Sequence, residues 1–382
     1  MKHKRKIIYL AGFLFSVPIA LMLYINSSFL SIFMSEKAVG LTYVFGSIVS
    51  ILALLVAPQI FRQIGGYKFL LLVIGLDALS ILLFAFSKNA WSAVPVFIIG
   101  FALNTLIVFS LDELLKIFSR DSATGKIRGI YLAVCHLAFI TSQLASATIL
   151  GYFSFKIIYI IAFGVMLLFF LLSYLGLKNI PDPQYDKLKV FKYIKEFFKN
   201  KDLSRIYSIN FLLQIFYAWM IIYTPIYLYM HLGFSWREIG IISAIMLLPF
   251  LFIPFNLGKY ADKIGERKIL MFGFTLASLT TLSLFFIQKH EVWVWALLLF
   301  STRIGAATIE VMSDAYFFKH IKPENEEFVG VYRSTAPLAY ILGPLLALAV
   351  FYFVPSFQYL FFVLCAIMLV GFFITLRLRD VR

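Results

Sequence analysis

The sequence predicts an all-α membrane protein: twelve transmembrane helices in two parallel six-helix bundles. Three observations carry that expectation. Of the 382 residues, 62% are apolar and only 14% charged, against about a quarter charged in an ordinary soluble domain. Uncharged runs long enough to cross a bilayer recur along the whole chain. The Lys and Arg residues fall mostly between those runs, with a strong bias to every second connection. With 43 phenylalanines and a mean hydropathy of +0.92, the chain carries more apolar surface than a soluble core could hide. A cytosolic enzyme, a nucleic-acid-binding domain and a disordered chain are excluded. The net charge of +15 is scattered in short clusters, which reads as topology rather than as a nucleic-acid partner.

The spans are expected near 7–28, 38–61, 68–87, 92–116, 128–151, 154–177, 205–230, 236–257, 268–288, 292–316, 328–352 and 355–376. The third contains Asp77, and the tenth contains Arg303, Glu310 and Asp314. The amino terminus has a basic start and a long apolar run without a small-x-small cleavage pattern, so it reads as an uncleaved first span. With the chain starting inside, 28 Lys and Arg fall on inner segments. Five fall on outer loops: Lys37, Lys88, Lys156, Arg237 and Lys289. That bias places both termini in the cytoplasm. Cys135 and Cys365 both lie in apolar stretches, as small apolar side chains rather than as a disulfide or metal set.

The longest connection, 178–205, separates an amino-terminal bundle (1–177) from a carboxy-terminal one (206–382). It opens with Pro181-Asp182-Pro183. Leu188, Phe191, Ile194 and Phe198 then recur at helical spacing among lysines. That pattern is a basic amphipathic helix on the inner membrane surface, a tether or a lipid-binding element. A shift of 200 residues places Ile64, Gly65 and Lys68 on Ile264, Gly265 and Lys268, and Tyr152, Phe153 and Tyr159 on Tyr352, Phe353 and Tyr359. Six spans per half is an even number, so the repeats are parallel, an architecture of transporters.

Between spans eight and nine runs Gly258-Lys-Tyr-Ala-Asp262-Lys263-Ile-Gly265-Glu-Arg267-Lys268. This resembles the Gly-x-x-x-Asp-(Arg/Lys)-x-Gly-x-(Arg/Lys)-(Arg/Lys) signature of the major facilitator superfamily, and the twelve spans and two halves extend the resemblance over the whole chain. The glycines permit a tight turn and close helix approach. The resemblance implies a conformational latch: Asp262 would cap span five near Gly129, and Arg267 or Lys268 would reach Asp314 at the inner end of span ten. The first-half loop departs from the pattern, with Pro58 for the first glycine and Arg62 for the acid. Asp112, at the inner end of span four, loosely parallels Asp314, and with Glu113 could pair with Arg120, Lys126 or Arg128.

Charges within the bilayer are costly, so they face a cavity or a partner. Arg303, Glu310 and Asp314 are spaced seven and four, which sets them on one helical stripe. The resemblance makes span ten cavity-lining. Arg303 could bind an anionic group and Glu310 could carry a proton, or both could be neutralised by structural partners. Asp77 is a second candidate proton carrier, or a structural hydrogen-bonding group. His136 in span five suits proton work or a helix contact. The candidate cavity side chains are Asn26, Asn104 and Gln143 in the first half. In span seven they are Asn210, Gln214, Tyr217 and Trp219, of which Asn210, Gln214 and Tyr217 share a face.

The function expected is secondary active transport of a small organic solute across the cytoplasmic membrane, by a monomer needing no cofactor. The resemblance implies the proton as coupling ion. Drug–proton antiport stands narrowly ahead of proton symport of a polar or anionic solute. Span five lacks the Gly-Pro-rich antiporter signature, and a partial likeness, Leu342-Gly343-Pro344-Leu345, sits on span eleven. A non-transporting receptor would have little use for intramembrane charges. An intramembrane enzyme is disfavoured, since no His-Glu-x-x-His, Gly-x-Ser-x-Gly or paired aspartates occur in the spans. No nucleotide-binding Gly-x-x-x-x-Gly-Lys-Ser/Thr loop occurs either.

Overall fold

The computed structural model describes residues 2–118, 124–178, 190–253, 257, 264–321, 327–354 and 356–378. The chain divides into two compact units, Met1–Asp186 with Ser235–Gly240, and Lys187–Phe234 with Ile241–Arg382. The first unit holds α1 (Lys2–Leu23), α2 (Asn26–Ser31), α3 (Glu36–Ile64), α4 (Gly66–Ala85), α5 (Ala90–Phe118), α6 (Thr124–Tyr152) and α7 (Phe155–Gly176). The second holds α8 (Val190–Lys199), α9 (Lys201–Ile226) and most of α10 (Trp236–Leu247). It continues with α11 (Glu266–Phe286), α12 (Val292–His320), α13 (Glu327–Arg333), α14 (Thr335–Phe353) and α15 (Tyr359–Thr375). Among the described residues no strand is present.

Among the described residues ten helical segments are long and apolar enough to cross a membrane, and two shorter apolar helices, Leu137–Tyr152 and Tyr359–Thr375, bring the number to the expected twelve. Each falls on an expected span. One packing pattern occurs in both units. In the first unit α1 packs on α6 and α7, and α4 packs on α5 and α7; in the second α9 packs on α14 and α15, and α11 packs on α12 and α15. The residue before the third span of each half repeats too. Gly65 has φ 82° and ψ 151° and Gly265 has φ 85° and ψ 149°, a region essentially reserved for glycine. The Gly65-to-Gly265 match is therefore a shared backbone conformation.

Span eight turns at Leu248 after α10, and spans one, seven and eleven depart from straight α-helix, each for a local reason. Span one breaks at Tyr24-Ile25 before α2. The Ile25 amide bonds Met22 O at 3.1 Å, so the carbonyls of the preceding turn need other donors. Ser146 Oγ donates to Leu21 O at 3.2 Å, and Gln143 Nε2 donates to Ala20 O. Span seven contains Pro225, which lacks an amide hydrogen, and relaxes into a π-helical turn over Tyr227–His231. Span eleven breaks at Ser334, between α13 and α14. Pro337 cannot donate to Arg333 O, and Ser334 Oγ turns to Val331 O at 2.7 Å.

In the second unit α11 and α12 meet backbone to backbone. A Cβ at Gly305 would lie 2.6 Å from Gly273 O and 2.8 Å from the Ala277 amide nitrogen. These are backbone atoms, so no rotamer change relieves them. Close contact through small residues is how helices associate in lipid, where hydrophobic collapse cannot drive them together. Gly305→Val is expected to push α12, and the charged stripe it carries, away from α11 at a cost of about 1–3 kcal/mol or more. A lowered melting temperature of the detergent-solubilised protein, with Gly305→Ala falling less than Gly305→Val, is the measurement.

Candidate functional site

The second unit gathers its intramembrane charges on α12, against α9. Arg303 is only 1% exposed. Its guanidinium carbon lies 5.2 Å from the centroid of Phe216 and 5.8 Å from that of Tyr217, both on α9. Its Nη1 is buried and has no hydrogen-bond partner among the described residues. Two turns along the same stripe, Glu310 Oε2 accepts a hydrogen bond from Tyr217 Oη at 2.8 Å. Tyr217 thus presents its ring to the cation and its hydroxyl to the acid. One turn further, Asp314 is ion-paired with Arg333 at 3.1 Å, where span eleven breaks.

The polar face of α9 continues this arrangement. Asn210 Nδ2 donates to Thr335 Oγ1 at 3.0 Å, and Gln214 Nε2 donates to Asn210 Oδ1 at 3.4 Å. Thr335 in turn donates to Tyr332 O at 2.9 Å. The spacing of Asn210, Gln214 and Tyr217 on one face is thus realised as a polar track from the break of span eleven toward Glu310. Trp219, also expected in the cavity, is 2% exposed and donates through Nε1 to Gly343 O at 2.7 Å. That bond ties span seven to the Gly-Pro segment of span eleven. An apolar crevice between α9 and α15, bounded by Trp219, Tyr223, Phe357 and Phe361, shares this helix. Its described lining carries no charged group.

In the first unit the candidate residues are separately committed. Asp77 is 1% exposed. Its Oδ1 accepts from Asn104 Nδ2 at 3.1 Å and lies 3.4 Å from Ser80 Oγ, and its Oδ2 has no partner among the described residues. Asn104 also donates to Gly100 O at 2.9 Å. Asn104, a candidate cavity residue, is thus the hydrogen-bond partner of the aspartate. Asn26 accepts from Tyr159 Oη at 2.9 Å, and Gln143 serves the break of span one. Asp77→Leu is expected to strand the Asn104 amide and cost about 1–3 kcal/mol. Asp77→Asn keeps an acceptor oxygen and is expected to melt close to the parent. Thermal unfolding of both variants decides this.

The latch residues are only partly visible. Gly258, Asp262 and Lys263 lie outside the described residues, as do the side chains of Glu113 and His136. Gly265 caps α11, Arg267 is half-buried, Lys268 is exposed, and Asp112 is exposed near the end of α5. The signature assigned Asp314 to Arg267 or Lys268, whereas the ion pair found is with Arg333. A pair not anticipated joins the signature loop to span ten: Glu266, 1% exposed, is bonded by Lys319. Both pairs escaped sequence reasoning because Arg333 and Lys319 read as positive-inside charges. Only the break of span eleven and the approach of α11 to α12 bring them to their acids.

Residues 231–382 match the family model described as Major Facilitator Superfamily. No curated protein matches the chain in sequence. Solved structures do match in fold. A mutant of the nucleoside transporter NupG superposes with a TM-score of 0.78 at 13% identity, over 98% of this chain and 99% of that one. The POT family transporter PepTSo gives 0.77 at 11% identity, over 98% and 97%. The human organic anion transporter MFSD10 (TETRAN) gives 0.65 at 17% identity, over 98% and 99%. The recurring apolar helices define a multi-pass membrane protein with the fold of these solved transporters, and the similarity to the Major Facilitator Superfamily model lies in residues 231–382.

Proposed function

We propose that the protein is a secondary active transporter that moves a small organic solute bearing an anionic group, by alternating access and with proton coupling. The observation that carries this is Arg303. A buried cation without a counter-ion costs several kcal/mol, which the faces of Phe216 and Tyr217 offset only in part. Its unpartnered Nη1 is a donor set for a carboxylate or similar oxyanion, in the forked geometry that arginine supplies. Glu310 is the proton carrier in this reading, because Tyr217 links it to the ring wall that Arg303 faces. Asp77 is a structural hydrogen-bonding group in the other unit.

Sequence reasoning placed drug–proton antiport narrowly ahead. A buried arginine suits a defined anionic solute better than a range of apolar cations, so proton symport of an anion is preferred here. Movement of a proton with the anion also removes its net charge from the carried species. The positive-inside bias supports a cytoplasmic membrane with both termini inside, and the protein is taken to act as a monomer.

The test uses proteoliposomes with a trapped pH dye. Mono- and dicarboxylates, organic phosphates, sugars and lipophilic cations are presented under an inward proton gradient, then under the reverse one. Internal acidification driven only by organic anions is the expected result. Proton movement driven by lipophilic cations, with none for anions, would return the assignment to drug antiport.

A further inference from the structure

The helix α8 has three different arcs. Phe197 is fully buried. Its ring meets Phe328 at 5.4 Å, Tyr207 at 5.9 Å and Phe317 at 6.3 Å. These three residues lie near the ends of spans eleven, seven and ten at one membrane face. Ile194 and Phe198, four apart, are 37% and 45% exposed. One residue further round are Lys195 and Lys199, also exposed, followed by Glu196. At 100° per residue the order around the helix is a protein-facing arc, an apolar arc left open, then a lysine arc.

The position of this helix relative to the membrane is held tightly. Asn200 alone separates α8 from α9, which begins span seven, and its Oδ1 caps α9 by accepting from the Asp202 and Leu203 amides at 3.0 and 3.3 Å. A helix so tethered lies within a turn of the bilayer surface. An open apolar arc bordered by lysines matches the boundary between acyl chains and anionic headgroups.

The buried arc leads to the candidate site. Phe317 stacks on Tyr332 with centroids 4.1 Å apart and rings 5° from parallel. Tyr332 precedes Arg333, which holds Asp314, one turn from Glu310. We propose that α8 docks on anionic lipid headgroups through Lys195 and Lys199, with Ile194 and Phe198 inserted, and that this docking sets the inner end of span ten through Phe197 and the Phe317–Tyr332 stack. The regulatory half of this proposal rests on the transport reading above, and the docking half does not.

The full-length protein is reconstituted in vesicles of phosphatidylcholine alone or with phosphatidylglycerol. Docking is read from a nitroxide at Ile194→Cys, with Cys135→Ser and Cys365→Ser, by its accessibility to oxygen against a water-soluble nickel chelate. With phosphatidylglycerol the label should favour oxygen. Lys195→Gln with Lys199→Gln, or high salt, should shift it toward nickel. Transport of the anion found above should run at least about threefold faster with phosphatidylglycerol in the parent. Phe197→Ala should lose that gain while its label still favours oxygen.

A label equally open to nickel in both vesicles, as for a surface meant for a soluble acidic partner, would overturn the docking. A lysine double variant indistinguishable from the parent would do the same. A parent whose transport ignores phosphatidylglycerol although the label inserts would overturn the coupling. Absence of transport for every anion would instead count against the function assigned above, and the nitroxide result would still stand.

Discussion

Arg303→Gln should lower anion transport at least about a hundredfold and leave the melting temperature of the protein unchanged or higher. Truncating one member of a buried charge pair costs about 2–5 kcal/mol or more, and about 2.7 kcal/mol already corresponds to a hundredfold. The loss should appear in transport rather than in folding. Without solute Arg303 has an unpartnered Nη1 in a buried setting, so the residue is a liability to the empty protein. A neutral side chain relieves that liability. Arg303→Lys discriminates further: it keeps the charge but loses the planar fork and much of the stacking on Phe216 and Tyr217. It should transport measurably and with weakened apparent affinity. Initial rates over a range of solute concentrations, beside thermal unfolding, measure both. A Gln variant that transports like the parent would reduce Arg303 to a packing element.

Glu310→Gln should abolish solute-driven proton movement while leaving solute exchange across the membrane. Glutamine preserves the bulk and an oxygen that can accept from Tyr217 Oη, now at 2.8 Å from the acid, so the geometry beside Arg303 is retained. It removes the ability to gain and lose a proton. Counterflow of labelled solute without a proton gradient should therefore persist within a few fold, while dye-reported acidification falls to background. Loss of both would show that Glu310 holds the solute or the fold. Retention of both would move the coupling to another acid, and Asp77→Asn would then be tested by the same pair of assays.

Much of the fold was legible in the sequence because a bilayer imposes simple rules. A span must be apolar for about 20 residues, must satisfy its backbone internally and must leave its lysines and arginines inside. Those rules find the spans one by one, and the 200-residue offset pairs Gly65 with Gly265, which share a backbone conformation only glycine adopts readily. The stripe of Arg303, Glu310 and Asp314 was equally legible, since helical periodicity alone sets it. The partners were not. Whether Arg303 is neutralised depends on which face of α9 meets α12; the packed unit puts Phe216 and Tyr217 there, and among the described residues no carboxylate pairs with it. Amides are the hardest to read. Asn104, Gln143 and Asn210 look alike along the chain, yet one holds Asp77, one serves the broken span one and one bonds Thr335.

The sequence by itself determined that the chain is a multi-pass helical membrane protein, the membrane spans, the repeat, and the positions of the intramembrane charges. Each of these depends on local composition or on periodicity within one helix. The tertiary structure alone decided that Asp314 pairs with Arg333, that Glu266 pairs with Lys319, that Asp77 is hydrogen-bonded within its own unit, and that Arg303 faces aromatic rings with a donor to spare. These depend on contacts between residues far apart in the chain, set by helix breaks at Tyr24-Ile25 and Ser334 and by backbone contact at Gly305. A shift of one residue turns a helical side chain by 100°, so partners of this kind can be assigned only after the helices have packed.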